Sequence, residues 1–384
     1  MTTQDTTLLP DVQQSNKLDY INNIKILLTI LVILHHTFIA YSTSDGWYYT
    51  EPTTILGVLI PVKMMISINQ SFFMGFFFML AAYFTDASFT KKGTSKFITD
   101  RLIRLGIPLV FYALLISPFT SYLVYYFAQE HHITFLQYLQ GYDTWMDIGV
   151  MWFVLALLLF TFLYVLSQKL FKISFENTLH VPRSRTILLF ALALGLVTFA
   201  VRIAFPVGWV LQPFGFQPGH FPQYIAFFII GLLAAKNNWF NELSERTRKR
   251  LTLSAWICLL LFPVFFVIRV TLKMPVEWYA GGFHWQQLLY AIWEQWIGLS
   301  ILTVLLIKGR TKWNKSTPLL AKLSRFSFAT YIFHPVVIVA FTLAARNWNV
   351  DPALKLFVVS PLIVAGSFAL GGMILLIPGV KKII

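Results

Sequence analysis

Ten long apolar stretches dominate the sequence, at residues 19–41, 60–84, 103–127, 150–168, 187–206, 222–236, 251–270, 285–307, 326–345 and 355–378. A helix needs about 20 apolar residues to cross the hydrocarbon layer of a bilayer, whereas a spanning strand shows about ten in alternation. These stretches are continuous and do not alternate. Lipid offers no partner for backbone N–H and C=O groups, so such stretches satisfy those groups internally, as helices. The sequence therefore predicts an all-α fold, a polytopic membrane helix bundle of about ten transmembrane helices. Composition agrees: 57% of the 384 residues are hydrophobic and 12% are charged, against about 25% charged in a soluble domain.

The distribution of charge predicts an orientation. Twenty Lys and Arg residues fall in the loops and helix ends after the second, fourth, sixth and eighth stretches, and five on the opposite side. Lys and Arg concentrate in cytoplasmic loops, so an even number of spans places both termini in the cytoplasm. This bias also accounts for the net charge of +14, and no nucleic-acid partner is expected. The first 17 residues are polar and lack a basic leader pattern, which predicts a disordered cytoplasmic tail followed by a retained signal-anchor. Residues 18–384 contain no visible repeat or low-complexity linker and are expected to form one transmembrane domain. The single cysteine, Cys258, excludes an internal disulfide and a thiolate metal site. No His-rich zinc spacing, phosphate-cradling loop or G-x-S-x-G motif occurs, so no metal and no tightly bound cofactor is expected.

Polar groups inside the spans carry the functional signal, because each is costly in lipid. Lys25 and His36 are eleven residues apart, which returns a helix to within about 20° of its starting direction, roughly 16 Å further along. His35 points about 100° away, so the spacing puts His36 with Lys25 on one polar face and His35 off it. That face is expected to look into the bundle; a packing stripe with Lys25 snorkelling to the interface fits the spacing equally well. Arg101 and Arg104, in "RLIRLGIP", are read as standing at a helix start, where orphan N–H groups and two forked donors suit a phosphate. Ordinary flanking charge is the other reading. Glu294, in "AIWEQWIG", needs a partner or a proton at mid-membrane and is expected to pair with a buried base, His334 being the best placed by depth. His220, in "QPGHFPQY", lies at the outer mouth of the sixth stretch. His131, His132 and His180 read as solvated loop residues. The broken, polar "SINQS" (67–71) predicts a helix that lines protein or a cavity.

These residues together resemble the acyltransferase-3 family of integral membrane O-acyltransferases. The resemblance rests on Lys25 and His36 in the first span, the Phe-rich "SFFMGFFFMLAAYF" (71–84), "RLIRLGIP" (101–108), "MWFVLALLLF" (151–160) and "RFSFATYIFHP" (325–335). It departs from the family pattern in having Lys25 where Arg is common and Ala-Ala-Tyr where Ser-Gly is common. The chain ends soon after the tenth stretch, so the membrane domain is expected to complete the transfer by itself. The resemblance implies a membrane acyltransferase that moves a short acyl group, such as acetyl, from acyl-CoA to a hydroxyl of a carbohydrate or cell-envelope glycan. The implied location is the cell membrane, a bacterial plasma membrane by family. His36 would be the general base; an imidazole with a pKa of about 6.5 suits that role near neutral pH. Lys25, Arg101 and Arg104 would hold the donor. Glu294, His334, His220 and Trp152 would bind the acceptor. The rival reading is a transporter or exporter of a glycan or lipid-linked intermediate, built on the same buried polar groups.

Overall fold

The structure is a computed structural model that describes residues 18–44, 46–142, 147–171 and 179–384; the expected disordered tail, residues 1–17, lies outside them. Among the described residues, ten helices are long and apolar enough to cross a membrane: α1 Asp19–Ser42, α2 Leu56–Lys92, α3 Thr94–Phe127, α4 Gly149–Phe171, α5 Ser184–Ala204, α6 Pro218–Lys236, α7 Glu245–Thr271, α8 Trp285–Lys312, α9 Pro318–Ala345 and α10 Pro352–Ile374. They coincide with the ten apolar stretches. No strand occurs among the described residues beyond a single bridge between Leu211 and Phe216. α8 and α9 are the most buried spans and α7 is the least. α1 packs along α9 and also touches α2, α8 and α10, which buries its Thr29, His35 and Thr37.

Two helices are irregular for reasons visible in the sequence. α2 breaks at Ser71 and Phe72, where Phe72 takes φ −146° and ψ −32°. The Ser71 hydroxyl donates to Ile68 O at 2.6 Å, and the freed Ser71 carbonyl accepts from Gln223 Nε2 on α6 at 2.7 Å. A neighbouring helix thus satisfies the group that the break exposes. Gly298 on α8 allows this close approach, because a Cβ there would stand 1.9 Å from the Ser71 oxygen. α3 widens into π turns at Leu102–Gly106 and Tyr112–Ile116, just ahead of Pro108 and Pro118. Each proline removes an N–H from the ladder, and the wider turn accommodates the loss.

α3 begins earlier than the sequence reading placed it. The segment "TSKFITDR" is charged, yet it forms helix and runs without interruption into the apolar part of the span. Arg101 and Arg104 therefore lie two turns or more inside a continuous helix. The expected helix-start phosphate site is overturned, because the orphan N–H groups belong to the turn at Thr94.

Candidate active site

α1, α2, α4, α6 and α9 meet around a cavity of about 160 Å³. Its lining includes His35, His36, Gln70, Trp152, His220 and Tyr331. His36, His220 and Trp152, which are remote in the sequence, are therefore brought together. His334 joins them one layer back, its ring stacked on that of His36 with centroids 5.3 Å apart. Trp47, from the loop after α1, stacks on the same imidazole at 4.3 Å. Trp152 stacks on Tyr224 at 5.5 Å, and the Tyr224 hydroxyl accepts from Gln70 Nε2 at 3.1 Å. Tyr331 donates its hydroxyl to Val150 O, which ties α9 to the start of α4.

The hydrogen bonds distinguish the histidines chemically. His334 Nδ1 lies 2.7 Å from Tyr331 O, an acceptor only, so Nδ1 carries the proton and Nε2 keeps a lone pair. His334 Nε2 is buried without a partner. His220 is the reverse case. Its Nδ1 lies 3.0 Å from Nη2 of Arg202, and a guanidinium can only donate. Nδ1 therefore accepts, and the ring proton sits on Nε2. His36 Nδ1 is buried with no hydrogen-bond partner. His35 lines the cavity as well. It packs on Phe73 with centroids 4.9 Å apart and its Nδ1 has no hydrogen-bond partner, so the spacing that put His35 off the face of His36 does not keep it out of the cavity.

Glu294 does not pair with His334. It pairs with Arg202, Oε2 to Nη2 at 2.6 Å, and the two side chains are 1% and 0% exposed. Its other oxygen lies 3.6 Å from His220 Nδ1. Arg202 Nε also donates to Gly219 O at 3.0 Å, and its guanidinium lies 5.9 Å from the Tyr290 ring. Gln295 donates to Glu294 at 3.4 Å and accepts from Gln223 at 2.8 Å, which connects the ion pair to the break in α2. Glu294 is absent from the cavity lining and stands behind His220. The sequence reading missed Arg202 because it counted that residue with the outer flanking charges. The available signal was its place inside an apolar stretch, opposite in sign to Glu294. Trp47 gave no signal, since it sits in a loop without a motif.

The donor-side residues are more dispersed than expected. Lys25 opens into a recess of about 500 Å³ with Leu18, Asp19, Asn22 and Phe84, its Nζ 5.2 Å from the centre of the Phe84 ring. Neither Arg101 nor Arg104 lines it. Arg101 lies over the Phe97 ring at 5.1 Å, and Arg104 is exposed. Between Lys25 and His36 on α1, Thr29 is packed shut at 2% exposure, whereas Val32 already lines the histidine cavity. The continuous polar face thus becomes two recesses.

A family model described as an acyltransferase domain, acyltransferase-3, matches residues 18–372, nearly the whole chain. The chain belongs to the acyltransferase-3 family. No curated protein and no solved structure matches it. This acyltransferase-3 protein is thus a membrane-embedded enzyme that transfers acyl groups other than aminoacyl groups. The transporter reading gives way to that membership.

Proposed function

We propose that the protein transfers a short acyl group, acetyl or similar, from acyl-CoA to a hydroxyl of a carbohydrate in the cell envelope, with His36 as general base. The observation that carries this reading is the position of His36: in a cavity at the meeting of five helices, with Trp152 and His220 on the walls. His36 takes the proton as the acceptor oxygen attacks the thioester carbonyl. A tetrahedral intermediate forms with negative charge on the former carbonyl oxygen. His220, whose proton sits on Nε2, donates a hydrogen bond to that oxyanion. Collapse breaks the carbon–sulfur bond, and the proton held by His36 passes to the CoA sulfur. The products are an ester and free CoA thiol.

The surrounding residues act on these two imidazoles. Trp47 and His334 hold the plane of His36 by stacking. Arg202 fixes the tautomer of His220, and Glu294 neutralises Arg202. Trp152 offers an aromatic face on which a sugar ring can lie. Lys25 serves the CoA phosphates from its recess on the side of the chain ends, which the charge bias assigns to the cytoplasm. The protein would sit in a bacterial plasma membrane.

The test is thiol release. Purified protein in lipid is given acetyl-CoA and a membrane glycan fraction, and free CoA is measured alongside labelled acetyl in the glycan. Acceptor-dependent release is expected in wild type and absent in His36→Ala. Release in wild type without transfer to any hydroxyl-bearing acceptor would overturn the proposal.

A further inference from the structure

A second cavity, of about 290 Å³, shares no lining residue with the histidine cavity. It lies at the ends of α2, α7 and α8 that face away from the chain termini, under the segment carrying Val276, Tyr279 and Ala280. Its walls are apolar, formed chiefly by Ile60, Phe262, Phe265, Phe266 and Trp293. Two cations line it, Lys63 and Arg269, with no acid among the lining residues. Among the described residues, neither cation takes part in an ion pair. Glu277, the acid nearest in sequence, is exposed and does not line the cavity.

Snorkelling to the interface accounts for Lys63, which is exposed, but not for Arg269. Arg269 Nε is buried and has no hydrogen-bond partner, so part of the guanidinium is withheld from water. A buried donor left unmade is costly, and a guanidinium is best met by a forked anionic acceptor such as phosphate. The apolar walls exclude a small hydrated anion as sole occupant. α7, which supplies three of the phenylalanines and Arg269, is the most lipid-exposed span, with Leu260, Val264 and Val267 all turned outward. The cavity therefore borders the hydrocarbon layer. A partly buried guanidinium beside a lysine at the lipid-facing edge of the bundle matches the forked oxygens of a lipid phosphate.

We propose that this cavity holds an anionic membrane lipid, its phosphate between Lys63 and Arg269 and the upper part of its chain against Phe262, Phe265 and Phe266. The site is distinct from the acyl-transfer cavity, although Tyr290 lines it and also faces Arg202. The assignment does not depend on the acyl-transfer reading.

Native mass spectrometry of the full chain, released from detergent with added phosphatidylglycerol or phosphatidylcholine, tests it. Wild type is expected to retain one phosphatidylglycerol in preference to phosphatidylcholine. Lys63→Gln with Arg269→Gln should weaken that binding about thirtyfold, the loss expected for two interfacial cations. Lys91→Gln with Lys96→Gln removes the same charge from exposed positions at the opposite ends of the helices and should leave it unchanged. Wild type without preference for phosphatidylglycerol overturns the proposal by itself, whatever the variants do. So does an equal loss in the Lys91/Lys96 control. Displacement of the bound lipid by millimolar inorganic phosphate would show that the site takes the anion alone.

Discussion

The Arg202–Glu294 pair makes a quantitative prediction about Glu294→Gln. Arg202 is fully buried and meets three acceptors: Glu294, Gly219 O and His220 Nδ1. Removing one partner of a buried pair typically costs about 3–5 kcal/mol, because the remaining charge is left uncompensated. Glutamine keeps an amide oxygen in place, and the other two acceptors remain, so the cost should lie near about 3 kcal/mol. A chain of 384 residues shifts its melting point by roughly 1.2 °C per kcal/mol, so the variant should melt about 4 °C below wild type. The cost of Glu294→Gln therefore falls on folding as well as activity. Arg202→Met combined with Glu294→Leu removes both charges. Its melting point should recover, since apolar replacement of a buried pair is often neutral or stabilising. Its activity should stay low, because His220 then loses the donor that fixes its tautomer. Thermal unfolding followed by size-exclusion chromatography measures the first quantity and thiol release the second. A double variant as unstable as Glu294→Gln alone would refute the charge-compensation argument, as would a single variant that melts with wild type.

Other substitutions divide the roles within the cavity. His36→Ala should lose about 10²- to 10⁴-fold in turnover while the protein still folds; wild-type turnover from a folded variant removes His36 as base. His220→Gln keeps an N–H near the position of Nε2 and should retain far more activity than His220→Ala, whereas a base at this position would make the two equally inactive. Lys25→Ala should raise the KM for acyl-CoA more than Lys25→Arg does, and unchanged donor KM in Lys25→Ala places Lys25 outside the donor site. Gly298→Ala must push α8 off the Ser71 carbonyl and should cost about 1–3 kcal/mol; a wild-type melting point would mean that the contact relaxes freely.

Apolar length alone made all ten spans legible, since no other structure buries such stretches in lipid. The Lys25–His36 spacing put each residue at a recess, but it did not separate His36 from His35, which lines the same cavity. Whether the face between Lys25 and His36 would be open or packed depended on Thr29, whose neighbours come from other helices. The start of α3 was misplaced because Lys96, Asp100 and Arg101 make the first two turns polar, and hydropathy finds the membrane boundary and not the helix boundary. Arg202 was misassigned for a related reason: a cation near a span end looks like flanking charge until its partner, on a different helix, is known. The tautomers of His220 and His334 were not legible at all, being set by Arg202 and by the Tyr331 carbonyl.

The order in which the cavity walls occur along the chain has a consequence for biogenesis. α1, with Lys25, His35 and His36, leaves the ribosome first, whereas His334 and Tyr331 belong to α9. The imidazoles of α1 must therefore enter the bilayer before their eventual neighbours exist, carried by the apolar residues of their own helix. Arg202 faces the same wait, because α5 is inserted three spans before Glu294 arrives on α8. Its position two residues from the end of α5 lets the guanidinium rest among headgroups until then, at far less cost than at the bilayer centre. A nascent chain stalled after α7 should thus hold Arg202 at the membrane surface, and synthesis of α8 should draw it inward.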